Sequence, residues 1–123
     1  MAFLDETGLA ELWSLIRAED DTKAQIAIGS YTGANTSGSS GKNTLTFDFV
    51  PKMVAIVADG VNDAYAGTLF VQGQTVSNYF GFVNDTSKKI TVSWSGNSVS
   101  WYASYANSQF NASGKTFLYV AIG

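Results

Sequence analysis

The hydrophobic period changes at about residue 22, and this change limits the chain to one helix followed by a β-rich domain. Before that point, Leu9, Leu12, Trp13 and Ile16 recur at the spacing of one helix face. After it, apolar residues alternate with polar ones or form short runs, which is the pattern of strands. The sequence therefore predicts an amphipathic helix over residues 1–21 and a β-domain over residues 22–123.

Eight short strands are predicted in the second segment. The clearest signal is "ITVSWSGNSVSWY", residues 90–102, where Val and Trp alternate with Ser on both sides of a Gly96-Asn97 turn. Residues 54–58 are apolar throughout, which indicates a central strand covered on both faces. The predicted strands are residues 24–32, 44–49, 52–58, 67–71, 79–83, 89–94, 98–102 and 116–122.

The spacing of these strands predicts the fold class. Short strands that recur every 8–12 residues or so favour an all-β antiparallel sandwich of the jelly-roll type, here with one N-terminal helix. The chain of 123 residues has the length of one domain. Residues 33–43, "GANTSGSSGKN", are rich in Gly and Ser and predict a loop, and within it we expect residues 38–42, "GSSGK", to be flexible.

Charge is distributed unevenly between the two segments. Residues 1–21 carry a net charge of −5, whereas residues 22–123 carry +2 without a single Arg. Nucleic-acid binding requires a basic stripe, which is missing, so no nucleic-acid partner is expected. No apolar run approaches the about 18 residues that span a bilayer, and no membrane insertion is expected.

Catalytic and metal-binding patterns are weak throughout. The chain has no His and no Cys, so the usual proton shuttle and thiolate nucleophile are absent. The acids of the β-segment show no paired spacing that would indicate glycoside hydrolysis, and they are Asp48, Asp59, Asp63 and Asp85. The segment from Asp59 to Asp63 does not match a calcium loop. We therefore expect no enzymatic activity, no cofactor and no metal.

Aromatic and amide residues cluster in the second half of the chain. Trp94 and Trp101 lie on one face of their predicted hairpin, where core packing is the favoured explanation. The residues that follow combine flat rings with amide groups at a strand end and in a loop, as a sugar-binding surface does, although such a loop can equally turn its tyrosines inward. The candidate ligand-binding residues are Trp101, Tyr102, Tyr105, Asn107 and Gln109.

The N-terminal helix needs a surface to pack against. An isolated helix of this length is marginal in water, so its apolar face requires either the chain's own sheet or another chain. Both alternatives remain open from the sequence. The residues predicted to dock or to form an oligomer are Leu9, Leu12, Trp13 and Ile16.

Four stretches, which together span nearly the whole chain, are distinctive as sequence: "FLDETGLAELWSLIRAEDD", "IGSYTGANTSGSSGKNTLTFDFVPKMVAIV", "KITVSWSGNSVSWYAS" and the terminal "FLYVAIG". Through these stretches the chain resembles tail-associated and other virion structural proteins of phages and prophages of Gram-positive gut bacteria. The resemblance implies a place in the virion, with a homotrimeric fibre or spike domain that attaches to host cell-surface glycan. It also implies that the helix contacts other virion proteins. The alternative is a head or tail decoration or connector protein that binds no glycan.

Overall fold

The structure is a computed structural model that describes residues 6–22, 25–60, 66–80 and 86–123, with helix side chains described for residues 7–15. Within these ranges one α-helix precedes eight strands, and a short 3-10 helix at Thr86–Lys88 lies between the fifth and sixth strands. The elements are α1 (Glu6–Thr22), β1 (Ile26–Thr32), β2 (Asn43–Thr46), β3 (Met53–Ala58), β4 (Gly67–Val71), β5 (Val76–Ser77), β6 (Ile90–Ser95), β7 (Ser98–Tyr102) and β8 (Thr116–Ile122).

These strands form two four-stranded sheets in which every pairing is antiparallel. Sheet A has the order β1-β8-β3-β4, and sheet B has the order β2-β7-β6-β5. The first strand pairs with the last and the second with the second-last, a nested arrangement that resembles a jelly roll. The predicted class, an all-β sandwich with one N-terminal helix, is confirmed.

The core consists of side chains from the facing sides of the two sheets. Trp101 lies at its centre, with its ring 5.3 Å from that of Phe70, measured between centroids. Aromatic pairs at this distance stabilise a core beyond the burial of their area. The largest fully buried side chains include Trp101, Phe70, Phe110, Phe117, Ile56 and Ile90.

Most predicted strands agree with the structure to within three residues at each end. Strands β4, β7 and β8 match their predictions residue for residue, and the Gly96-Asn97 turn joins β6 to β7 as expected. Gly96 has a φ of 55°, a conformation that glycine adopts without a steric penalty.

The strand predicted at residues 79–83 is wrong in its described part. The fifth strand is instead Val76–Ser77, and residues 81–83 lie outside the described residues. After Ser77 the chain leaves sheet B and crosses to sheet A, where the Phe80 N–H donates to the Gly67 carbonyl at 2.7 Å. The chain therefore connects the two sheets at the position where the apolar pattern predicts one continuous strand.

Strand β3 is central in sheet A, as its apolar sequence predicts, but only one of its faces is covered. Val54 and Ile56 point into the core and are fully buried. Val57 points to the opposite side and is 42% exposed. Within the described residues, the outer face of this strand has no covering layer.

Helix α1 lies outside the sandwich with its apolar face exposed. Leu9 is 58% exposed, Leu12 45% and Trp13 60%. The side chain of Ile16, the fourth predicted docking residue, lies outside the described side chains. Packing of this helix on its own sheet is therefore not observed for the described side chains.

Tyr31 of β1 closes one end of the core. Its hydroxyl donates to the carbonyl of Phe110 at 2.7 Å, and burial raises the pKa of the hydroxyl above its ordinary value. The folded protein therefore holds this proton at pH values at which the unfolded chain releases it.

We expect alkaline pH to destabilise the protein through Tyr31. Full stability is present below about pH 10, where an unfolded Tyr keeps its proton, and is lost above it by up to about 1.4 kcal/mol per pH unit. The Tyr31→Phe substitution should lower stability at neutral pH by about 1 kcal/mol and flatten the alkaline slope. Urea unfolding between pH 7 and pH 11 measures both effects, and an unchanged slope would contradict the assignment.

Candidate functional site

The predicted ligand-binding residues separate into a buried group and an exposed group. Trp101 is 1% exposed and Gln109 is fully buried. Tyr102 is half-buried, whereas Tyr105 is 52% exposed and Asn107 is also exposed. The prediction that Trp101 and Gln109 face a ligand is corrected by their burial, and only the exposed group remains available at the surface.

Gln109 serves the fold through its side-chain amide. Its Oε1 accepts from the Ala103 N–H at 2.9 Å, and its Nε2 donates to the Gly41 carbonyl at 2.7 Å and to Asn43 Oδ1 at 2.8 Å. Its backbone carbonyl accepts from the indole N–H of Trp101 at 2.8 Å. A buried amide with all these partners is stabilising, because each partner would otherwise lose its hydrogen bond away from water.

Asn111 makes a second link between the loop that precedes β2 and the loop that follows β7. Its Nδ2 donates to the Thr36 hydroxyl at 2.7 Å, and its Oδ1 accepts from the Ala34 N–H at 2.8 Å. Gly33 packs so closely on the Ala112 carbonyl that a Cβ would overlap it. Residues 33–42 form a loop, as predicted, and backbone hydrogen bonds from Asn35 to Asn111 and from Gly38 to Ala103 hold this loop against the second one.

The outer side of sheet B is lined by hydroxyl groups. Thr44 Oγ1 lies 2.8 Å from Ser100 Oγ, and Thr46 Oγ1 lies 2.8 Å from Ser98 Oγ. Tyr102 points to the same side, because it alternates with buried Trp101 along β7. We call this surface the hydroxyl face, and its residues are Thr44, Thr46, Thr91, Ser93, Ser95, Ser98, Ser100 and Tyr102.

Tyr105 presents an exposed ring in the loop that follows β7. The Lys88 ammonium lies 4.1 Å from the centre of this ring, a cation–π contact that orients it. The Tyr105 carbonyl accepts from the backbone N–H of Gln109 at 3.0 Å. Gln109, which is buried, thus helps to hold the exposed Tyr105 in place.

Two features of this surface were not predicted from the sequence. Lys88 has no signal beyond its place in a pair of lysines, and its contact with Tyr105 depends on the tertiary fold. The hydroxyl face does have a signal, since Ser and Thr alternate with apolar residues along β6 and β7. That alternation indicates a solvent-facing side but does not distinguish a binding surface from ordinary polar exposure.

Within the described ranges, no group of three or more acidic side chains lies together as a metal site would require. Asp48 and Asp59 are exposed in separate turns, whereas Asp63 and Asp85 lie outside the described residues. None of the helical residues that are described forms a segment long and apolar enough to cross a membrane.

Comparison with known proteins gives one distant structural similarity. No family model and no curated protein matches the chain. The fold is similar to part of the tailspike protein gp49 from Acinetobacter baumannii bacteriophage Fri1, a capsular polysaccharide depolymerase, with a TM-score of 0.38 and 14% identity. The match covers 80% of this chain and 17% of the tailspike, and a similarity this distant carries no inference about activity.

We expect the buried amide to matter far more for stability than its exposed neighbour. The Gln109→Leu substitution keeps the volume but leaves the Ala103 N–H and the Gly41 carbonyl unpaired, and should lower the free energy of unfolding by about 2–4 kcal/mol. Asn107→Leu, in the same loop but exposed, is the matched control and should change it by about 0.5 kcal/mol or less. Urea unfolding of both variants measures the difference, and equal effects would contradict the structural role of Gln109.

Proposed function

We propose that this chain is a phage or prophage virion protein that attaches to a carbohydrate of the bacterial surface, with α1 as its assembly element. The observation that carries the virion role is the exposed apolar face of α1, together with the resemblance to virion proteins described above. Leu9, Leu12 and Trp13 stay largely in solvent, although an apolar helix face is stable only when buried. A homotrimer or a neighbouring virion protein would provide that burial.

The glycan-binding part of the proposal is supported by the exposed aromatic residues beside the hydroxyl face. Tyr105 presents half of its ring surface, and Tyr102 lies at the edge of a surface lined by Ser and Thr. A flat ring can stack on the apolar face of a sugar, while hydroxyl and amide groups exchange hydrogen bonds with its hydroxyls. Asn107, exposed in the same loop as Tyr105, adds an amide.

Binding of the full-length chain to purified host wall or capsular polysaccharide tests the ligand. Tyr105→Ala and Tyr102→Ala should each weaken binding by about 5- to 30-fold, the effect of losing a central aromatic contact. Val50→Ala is the control, because Val50 is 50% exposed but lies in the turn between β2 and β3, outside both the hydroxyl face and the apolar face. Equal affinities for the three variants and the parent chain would exclude this site.

A connector or decoration role without a glycan is the second candidate. It is favoured by the burial of Trp101 and Gln109, since two of the five predicted ligand-binding residues serve the fold instead. On this alternative the protein enters particles normally when Tyr102 and Tyr105 are replaced, and it binds no polysaccharide.

Both candidates require α1 for incorporation into particles. Leu12→Gln and Trp13→Gln should reduce the amount of protein in purified virions at least about 10-fold, because each removes an apolar contact from the docking face. Glu11→Gln, on the opposite side of the same helix turn, should leave incorporation unchanged. Mass spectrometry of purified particles quantifies the protein, and normal incorporation of Trp13→Gln would contradict the docking role.

A further inference from the structure

The outer face of sheet A is an apolar surface that the described residues leave largely uncovered. The register of the four strands places its side chains in three rows across the sheet. They are Ile26, Ile122, Met53 and Val71 in the first row, Ile28, Val120, Ala55 and Leu69 in the second, and Ser30, Leu118, Val57 and Gly67 in the third. We call these twelve residues the apolar face.

Exposure on this face is high in β1 and at the end of β4 and lower between them, where Met53, Ala55, Leu69 and Ile122 are half-buried and Gly67 is buried. Ile28 is 78% exposed, Ile26 64% and Val71 50%. These side chains belong to the side of sheet A that points away from the core, because each alternates with inward-pointing residues along its strand. Among the described residues, none forms a layer that covers the apolar face.

The opposite side of the sandwich shows what a solvent-facing sheet looks like in this protein. The hydroxyl face carries mostly Ser and Thr at the outward positions of β2, β6 and β7. The apolar face carries one Ser, one Gly and ten apolar residues, and no charged residue occupies any of its three rows. In an antiparallel sheet the apolar face is normally covered by other parts of the protein, and the polar face is exposed to water. Both faces of sheet A have the apolar composition that is typical of a covered face.

We propose that the apolar face is the interface at which this chain associates with further copies of itself. A face without charged side chains can pack against the same face of another copy without like-charge repulsion. Interfaces between identical subunits are also more apolar than transient ones.

The available area favours association through two surfaces at once. At about 4.8 Å between strands and about 3.3 Å per residue, the apolar face covers roughly 350 Å². Helix α1, with its 17 residues, adds a side of roughly 250 Å² at about 1.5 Å rise per residue and about 10 Å diameter. Together the two surfaces come to roughly 600 Å², three quarters of the about 800 Å² that each partner buries in a stable complex, whereas neither surface alone reaches half of it.

Continuity along the chain supports the same occupant. Helix α1 ends at Thr22 and β1 begins at Ile26, so the exposed helix face and the exposed edge strand of sheet A are only three residues apart.

Light scattering on the full-length chain tests this interface. Ile28→Lys and Val120→Lys each place a charge on the apolar face, and should raise the concentration at which the oligomer dissociates by about 100-fold or more. Ser93→Lys is the matched control, since Ser93 points outward from a central strand of sheet B, as Val120 does from sheet A. This control variant should have the same mass in solution as the parent chain, because its interface is unchanged.

Cross-linking provides a second readout that does not depend on a destabilising charge. The chain has no Cys, so single variants Val120→Cys and Ser93→Cys can be oxidised without competing thiols. Disulfide-linked chains should form with Val120→Cys and not with Ser93→Cys.

Three outcomes would overturn the inference. The first is a parent chain that is monomeric at all concentrations. The second is an oligomer that survives both sheet A charges and dissociates with Trp13→Gln alone, which would assign association to the helix. The third is a variant Ile28→Lys with unchanged mass and reduced stability, which would mean that α1 of the same copy covers the face. Glycan binding at the hydroxyl face is tested separately, so either proposal can fail without the other.

Discussion

The side-chain amide of Gln109 holds together segments of the chain that lie far apart in sequence. It bonds to Ala103 at the end of β7 and to Gly41 and Asn43 at the start of β2, while Trp101 bonds to its backbone carbonyl. Hydrogen bonds away from water are strong and directional, so this contact fixes the relative position of two long loops. The surface that carries Tyr105 rests on this contact, because the backbone of Gln109 also bonds to the Tyr105 carbonyl.

The two sheets share one core but have different outer surfaces. Sheet B exposes hydroxyl groups that bond to one another across the strands, as in the pair Thr44 and Ser100. Sheet A exposes branched aliphatic side chains such as Ile28 and Val57. A sandwich with this asymmetry has one side suited to water and to polar ligands and another suited to a protein layer. Attachment and assembly can therefore use opposite sides of the same small domain.

The sequence predicts the strands well where one side chain in two is apolar, as in β7 and β8, since period-2 alternation is a local property. It fails at residues 79–80, because the chain crosses between sheets there and nearby apolar residues do not reveal which sheet they join. The same limit applies to the site. Gln109 and Asn107 are both amides in one loop, and only the tertiary fold decides that the first is buried and the second exposed. The uncovered outer face of β3 likewise becomes visible only once the register is known.

The place of β8 in sheet A has a consequence for biosynthesis. This strand follows the other seven in the sequence, yet it lies between β1 and β3 and pairs with both. During translation, β1 has no partner in its sheet until the last of these strands leaves the ribosome, and pairings of such long sequence separation form late. A chain interrupted before β8 cannot form the three rows of the apolar face. Incomplete products would therefore lack the surface that we propose for association between copies.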